Sequence, residues 1–135
     1  MVFAVPHTDV LLKVLGTPHQ TELVTSVFRL ADALLDRGAA VQVWTCGDAT
    51  GLTRVSLGDS KPINFADRHA DHPSTARLVR ELLSAHPDRL NWYVCRFCCA
   101  DRGAAEQIPE VRKRPPARFW EHVQATDKVL AMGVC

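Results

Sequence analysis

Cysteine is concentrated in one short stretch of this sequence, Y-V-C-R-F-C-C-A-D-R-G at residues 93–103. Three of the five cysteines, Cys95, Cys98 and Cys99, lie there within five positions. A cysteine thiolate is a nucleophile, a disulfide partner and a ligand for soft metals, so the stretch could carry several kinds of chemistry. An odd number of cysteines in a chain that does not resemble a secreted protein argues against a disulfide framework, and we expect mostly reduced thiols.

Cys95 is the strongest candidate for a nucleophile. If a strand ends at Cys95 and a helix begins directly after it, unpaired backbone N–H groups and the helix dipole favour the thiolate, and Arg96 or Arg102 could add to this effect. An ordinary cysteine with a pKa of about 8.5 is roughly 3% ionised at neutral pH. We therefore expect a lowered pKa for Cys95.

The other two cysteines of the stretch have weaker claims. Cys98 stands three residues after Cys95, and this C-x-x-C spacing permits a local disulfide or a resolving thiol. Cys99 points about 100° further around a helix, where it is either exposed or packed. Packing as a small apolar side chain is an equally good interpretation for Cys98 and Cys99.

A structural metal site is not expected. Zinc sites of this kind usually take four ligands from two separated pairs, whereas this chain has a single C-x-x-C. The other candidates, His69 and His72, fall within residues 55–73, a segment of weak periodicity that we expect to be the most mobile loop.

The segments around these residues predict how the fold positions them. Residues 10–16 form a nearly continuous apolar run typical of a strand buried on both faces. Residues 40–46 and 90–95 are predicted as two further strands, so Cys46 and Cys95 each end a predicted strand. Chemistry in open α/β sheets sits beyond the carboxyl ends of the strands. The cysteine stretch therefore falls where a site is expected.

The remaining pattern alternates strands with helices. Residues 10–16 predict a first strand, and 128–132 a last one. Between them we expect three helices. The first begins with a capping box at Thr17, Pro18 and Gln20 and ends at Gly38. The second is capped by Ser74 and ends near His86-Pro87, and the third follows Pro115-Pro116. The predicted fold is a single α/β domain over residues 1–135, with three layers and an open, mainly parallel sheet of about five strands covered by helices on both faces.

Composition excludes several classes of function. The chain has 135 residues, 47% of them apolar, and a net charge of +1, so it has no broad basic field. Direct nucleic-acid binding is not expected, and the local patch of Arg112, Lys113, Arg114 and Arg118 is interpreted as a solvated loop. The N-terminus does not read as a signal peptide, and no apolar run is long enough to span a membrane, so we expect a cytoplasmic protein without membrane contact.

Four segments in order carry a resemblance: G-T-P-H-Q at 16–20, V-W-T-C-G-D-A at 43–49, C-x-x-C-x-x-x-R-G at 95–103 and T-D-K-V-L-A-M at 126–132. Together they resemble the DsrE/YchN family, the DsrE/DsrF/TusD-type small sulfur-relay proteins. The resemblance implies a parallel-sheet fold, a cytoplasmic trimer or hexamer, and sulfur donor and acceptor proteins as partners. It also implies that Cys95 takes up a sulfane sulfur as a persulfide without metal or organic cofactor, with Arg102, Gly103 and Asp48 in support.

The chain also departs from the family pattern. Pro18-His19-Gln20 stands where many relatives have a glycine and a tyrosine, and Cys46, Cys99 and Cys135 are additional thiols that could act as secondary sites. Two alternatives to sulfur transfer stay open: a thiol-disulfide redox switch between Cys95 and Cys98, and a non-catalytic oligomeric subunit. The three tryptophans are expected in the core, whereas an exposed one would mark an interface.

Overall fold

The computed structural model describes residues 3–133. Its five strands are β1 (Thr8–Val14), β2 (Val41–Thr45), β3 (Leu90–Cys95), β4 (Arg112–Arg114) and β5 (Thr126–Met132). Its α-helices are α1 (Thr21–Asp36), α2 (Thr75–Ala85), α3 (Arg96–Asp101) and α4 (Phe119–Gln124). The strands form one sheet in the order β4-β3-β2-β1-β5, and every neighbouring pair is parallel. The predicted α/β class is confirmed.

Successive side chains along each strand point to opposite faces of the sheet. One face, built from residues such as Leu12, Val43 and Val94, packs against α1 and α2. The opposite face carries Leu11, Trp44, Tyr93 and Cys95, against which α4 and Phe3 pack. Since all five residues of β2 are buried, both faces are covered at the centre of the sheet. Cys95 therefore points to the face covered by α4.

The predicted ends of the helices are confirmed in two cases and wrong in one. Gly38 follows α1 with φ of +87°, a conformation suited to glycine, and the Ser74 side chain accepts a hydrogen bond from the Arg77 N–H at the start of α2. The capping box is wrong. The α1 helix begins at Thr21 after Gln20, which makes no side-chain cap, because residues 17–20 are used to cross from the end of β1 to the helix.

Two further expectations need correction. Arg112–Arg114 form the edge strand β4 instead of a loop, although Arg112 and Lys113 are exposed as expected. An edge strand pairs on one side only, so charged side chains are tolerated there. Trp44 and Trp92 are buried as expected, but Trp120 is 65% exposed, because α4 has only six residues and turns this side chain to solvent.

The segment 55–73 contains only a short 3₁₀ turn, Val55–Leu57, and isolated bridges such as that between Ser60 and Pro73. No helix within residues 3–133 has the length and apolar character needed to cross a bilayer.

Candidate functional site

Three thiols meet at the carboxyl ends of β2 and β3. The Sγ atoms of Cys46, Cys95 and Cys98 all lie within 4.8 Å of one another, and the cysteines are free thiols. Cys46 directly follows β2, Cys95 is the last residue of β3, and Cys98 lies in α3. Because Thr45 of β2 pairs with Val94 of β3, the next residue of each strand is brought alongside the other. Cys46 and Cys95 end strands as predicted, and the register between β2 and β3 brings Cys46 to the C-x-x-C residues from a distant part of the sequence.

Cys95 is the most deeply placed of the three thiols. The residue is 1% exposed and packs with Leu11, Trp44 and Tyr93. Burial raises the pKa of Cys95 to about 12, and the hydrogen bond from the Cys98 backbone N–H, which lowers the pKa, offsets only part of this effect. The neighbouring thiols Cys46 and Cys98 raise it further.

The expectation of a lowered Cys95 pKa is therefore wrong for the isolated chain. α3 has only six residues, and its start supplies too little stabilisation to offset the loss of water around the sulfur. Arg102 does not compensate either, because its guanidinium is held by carboxylates. At neutral pH, Cys95 is a protonated thiol.

Adjacent Cys98 and Cys99 lie in different environments. Cys98 is half-buried and belongs to the thiol group, as Cys46 does. Cys99 is 0% exposed, packs in the core on the opposite face, and donates a hydrogen bond from its Sγ to the Arg96 carbonyl at 3.3 Å. The two side chains diverge because consecutive helical positions point about 100° apart. Cys135 lies outside the described residues.

Asp48 and Arg102 form an ion pair next to the thiols. Arg102 Nη1 donates to Asp48 Oδ1 at 2.6 Å, and this hydrogen bond raises the pKa of Arg102. The two side chains are about half exposed, so solvent screens the pair and it contributes little to stability. Gly103 follows α3 with φ of +67°, which agrees with the expected need for glycine there.

A cavity of about 220 Å³ adjoins this ion pair and is lined by Thr17, Pro18, His19, Asp48, Gly51, Arg54 and Arg102. The buried Nε of Arg54 has no hydrogen-bond partner within residues 3–133. Larger cavities of about 740 Å³ and 560 Å³ lie beside Trp92 and between α1 and α2, and no described cysteine lines either one. The small cavity has no cysteine in its lining either, and its link to the thiols is through Arg102, which follows α3.

His69 and His72 are both exposed and do not join the cluster of thiols. A second polar arrangement, centred on the buried His122, was not predicted from the sequence. Its Nδ1 lies 2.9 Å from Gln42 Oε1, and its Nε2 accepts from Arg114 Nε at 3.1 Å. Burial, with a smaller effect from Arg114, lowers the pKa of His122 to about 4, so this imidazole is neutral.

Comparison with known proteins identifies the fold. No family model matches the chain, and no curated protein matches it. Among solved structures, the chain is similar to the YchN protein from E. coli, with a TM-score of 0.68 and 19% sequence identity over 91% of this chain and 97% of that chain. An identity this low shows the fold alone. The resemblance read from the motifs is thus confirmed at the level of structure: the chain has a YchN/DsrE-like α/β fold.

Proposed function

We propose that this protein is a sulfur-relay protein that accepts a sulfane sulfur as a persulfide on Cys95 and passes it to an acceptor thiol. The observation that carries the proposal is the convergence of three reduced thiols at the carboxyl edge of a YchN/DsrE-like sheet. Cys95 lies deepest, and the half-buried Cys98 and Cys46 stand beside it. A buried sulfur limits attack by water and small oxidants on a persulfide once it has formed.

The reaction balances without a cofactor. The sulfur of Cys95 attacks the outer sulfur of a donor persulfide R–S–SH, the donor S–S bond breaks, and the donor leaves as a thiol that takes up the proton released by Cys95. An acceptor thiolate then attacks the outer sulfur of Cys95–S–SH, which regenerates the Cys95 thiol. Sulfur moves at constant oxidation level, so no external oxidant or reductant is consumed.

Burial of Cys95 adds a condition to this reaction. Since its thiol is protonated in the isolated chain, the donor must reach the sulfur through the half-buried Cys98 and Cys46 side and remove the proton as it leaves. Donor and acceptor are proteins or small thiols in a reducing compartment, which we take to be the cytoplasm. Asp48 and Arg102 pair with each other near the thiols and are about half exposed, so a docking partner can contact both charges.

Incubation with a sulfane-sulfur donor such as glutathione persulfide should add about 32 Da, the mass of one sulfur atom, to the intact protein. Cys95→Ser should abolish the adduct, since the remaining thiols are not the proposed acceptor. Cys99→Ser is the matched control, because Cys99 lies in the opposite core and should leave uptake unchanged. The assignment of Cys95 is wrong if the adduct survives its replacement.

The thiol-disulfide switch is favoured by the same 4.8 Å grouping of the three sulfurs. Exchange of the Cys95 and Cys98 thiols with a small-molecule disulfide would leave a Cys95–Cys98 disulfide and release the small molecule as two thiols. Loss of two thiols per chain on mild oxidation, with no persulfide adduct at any time, would support this function instead. Neither adduct nor thiol loss would support a non-catalytic oligomeric subunit.

We further propose that the protein assembles as a homo-oligomer, a trimer or hexamer. Large apolar side chains are exposed at Phe97 and Trp120 (65% each), Val129 (46%) and Leu130 (45%), and the last two lie on the edge strand β5. Val129 and Leu130 are adjacent on an edge strand that has no further strand beside it within residues 3–133, and this unpaired edge is the surface that we propose for contact between subunits.

Light scattering after size exclusion should give a mass of three or six chains for the parent protein. Trp120→Glu should shift it toward the monomer. Phe65→Glu changes an aromatic side chain that is 83% exposed in the 55–73 segment, and should leave the mass unchanged. A monomeric parent would contradict the proposal.

A further inference from the structure

Cys46, Cys95 and Cys98 satisfy the geometric needs of a soft-metal site. Each offers one sulfur, and the three sulfurs lie within 4.8 Å of one another. In a trigonal site with metal–sulfur bonds of about 2.3 Å, the sulfurs are about 4 Å apart. The three side chains therefore need to close by less than about 1 Å. We infer that these three cysteines form a binding site for a monovalent soft cation, Cu(I), in three-coordinate thiolate geometry, with the thiol protons released to solvent as the metal–sulfur bonds form.

The backbone holds the three ligands in place. Cys46 and Cys95 stand at the ends of two adjacent paired strands, and Cys98 is one helical turn beyond Cys95 in α3. A ligand set spread over β2, β3 and α3 does not have to be assembled from a flexible loop. Such preorganisation reduces the entropy lost on binding.

The identity of the ion follows from the donors and their surroundings. Thiolates select soft ions such as Cu(I) and Zn(II), and Zn(II) in structural sites takes four ligands. Within residues 3–133, no fourth histidine, cysteine or carboxylate joins the group. The nearby carboxylate of Asp48 is held by Arg102.

The apolar wall of Leu11, Trp44 and Tyr93 limits the access of water to the inner side of the site. Cu(I), which is stable with three thiolate ligands, suits this environment better than Zn(II), which requires a fourth ligand or a water molecule. The half-buried Cys46 and Cys98 leave a path for the ion to enter.

This inference goes beyond the proposed sulfur relay and can fail independently of it. A metal held by Cys95 would block persulfide formation on the same sulfur, so copper and sulfane sulfur should compete for the site. Cys46 is the residue that separates the two functions, because it is a metal ligand but takes no part in the transfer step on Cys95.

The test is an anaerobic titration of the fully reduced protein with Cu(I), buffered by a chromogenic Cu(I) chelator and followed by thiolate-to-copper charge-transfer absorption. We expect one Cu(I) per chain. Loss of a second-shell partner alone typically costs 10-fold to 100-fold in metal affinity, so Cys46→Ser and Cys98→Ser should each weaken binding by at least about 100-fold. Cys99→Ser, the change of a buried thiol outside the group, should bind as the parent does.

Equal affinity of the parent and Cys46→Ser would overturn the inference, as would an equal loss in Cys99→Ser. A Zn(II) titration that matches Cu(I) in affinity would overturn the choice of ion. Far-UV circular dichroism of Cys46→Ser, which should match that of the parent, provides the control for folding. If this variant still gains one sulfur on Cys95 but loses Cu(I), both proposals stand, and if it keeps Cu(I) affinity while gaining sulfur, only the metal site fails.

Discussion

Alkylation of Cys95 by iodoacetamide should accelerate about tenfold for each pH unit from pH 7 to pH 10, without levelling off in that range. Only the thiolate reacts, and burial raises the pKa of Cys95 to about 12. At pH 7 the thiolate fraction is then about 10⁻⁵, more than a thousandfold below that of an ordinary cysteine. Peptide-resolved mass spectrometry at several pH values measures the rate for Cys95 separately from the other thiols.

Glutathione alkylated under the same conditions is the reference, since its rate should level off near its ordinary thiol pKa. A Cys95 rate that levels off below pH 9 would show that the sulfur is more hydrated or more positively surrounded than the structure indicates. Repeating the measurement with Trp44→Ala probes the cause. Removal of a large apolar neighbour admits water to the sulfur, and we expect the rate to rise at neutral pH.

This result would bear on how transfer is controlled. A thiol that is inert in the isolated chain must be activated when a donor docks, by added positive charge or by direct proton transfer to the leaving donor sulfur. The relay would then be protected from non-specific thiol chemistry between encounters with its partners.

Acidification from pH 6.5 to pH 4 should reduce the free energy of unfolding by about 3 kcal/mol through His122 alone. The pKa of His122 is lowered from its ordinary value of 6.5 to about 4 in the folded chain. Between these values the unfolded chain binds a proton that the folded chain rejects, so stability is fully present above pH 6.5 and is lost as the pH falls toward 4. Urea unfolding at half-unit pH intervals measures the slope.

The groups that face His122 limit how the measurement is interpreted. Arg114 Nε donates a hydrogen bond to His122 Nε2, and the hydrogen bond from Arg118 lowers the pKa of Glu121 below its ordinary value of 4.5. The titration of Glu121 therefore falls below most of this window. His122→Gln keeps a polar side chain in the buried site and should flatten the curve between pH 6.5 and 4.5. His19→Gln controls for the loss of an exposed imidazole. Parallel curves for His122→Gln and the parent would contradict the assignment.

The central strands of the sheet could be predicted because their burial leaves a pattern in consecutive residues. The apolar runs at 40–46 and 90–95 correspond to β2 and β3, since strands buried on both faces leave continuous apolar sequence. The strand β4 was missed because its three residues, R-K-R, are all basic, and only pairing with β3 makes them a strand. The start of α1 was misplaced because the length of the connection from β1 depends on where the helix packs.

The candidate site, too, was predictable from the sequence only in part. The sequence by itself determined that Cys95 ends a strand and that Cys98 follows at C-x-x-C spacing, because both facts depend on neighbours within a few residues. Only the tertiary structure decided that Cys46 joins them and that Cys99 does not, since this depends on the register between β2 and β3 and on the rotation of α3. Only the tertiary structure decided, too, that Cys95 is protonated. Desolvation is the sum of everything packed around a sulfur, and Leu11, Trp44 and Tyr93 come from three different strands.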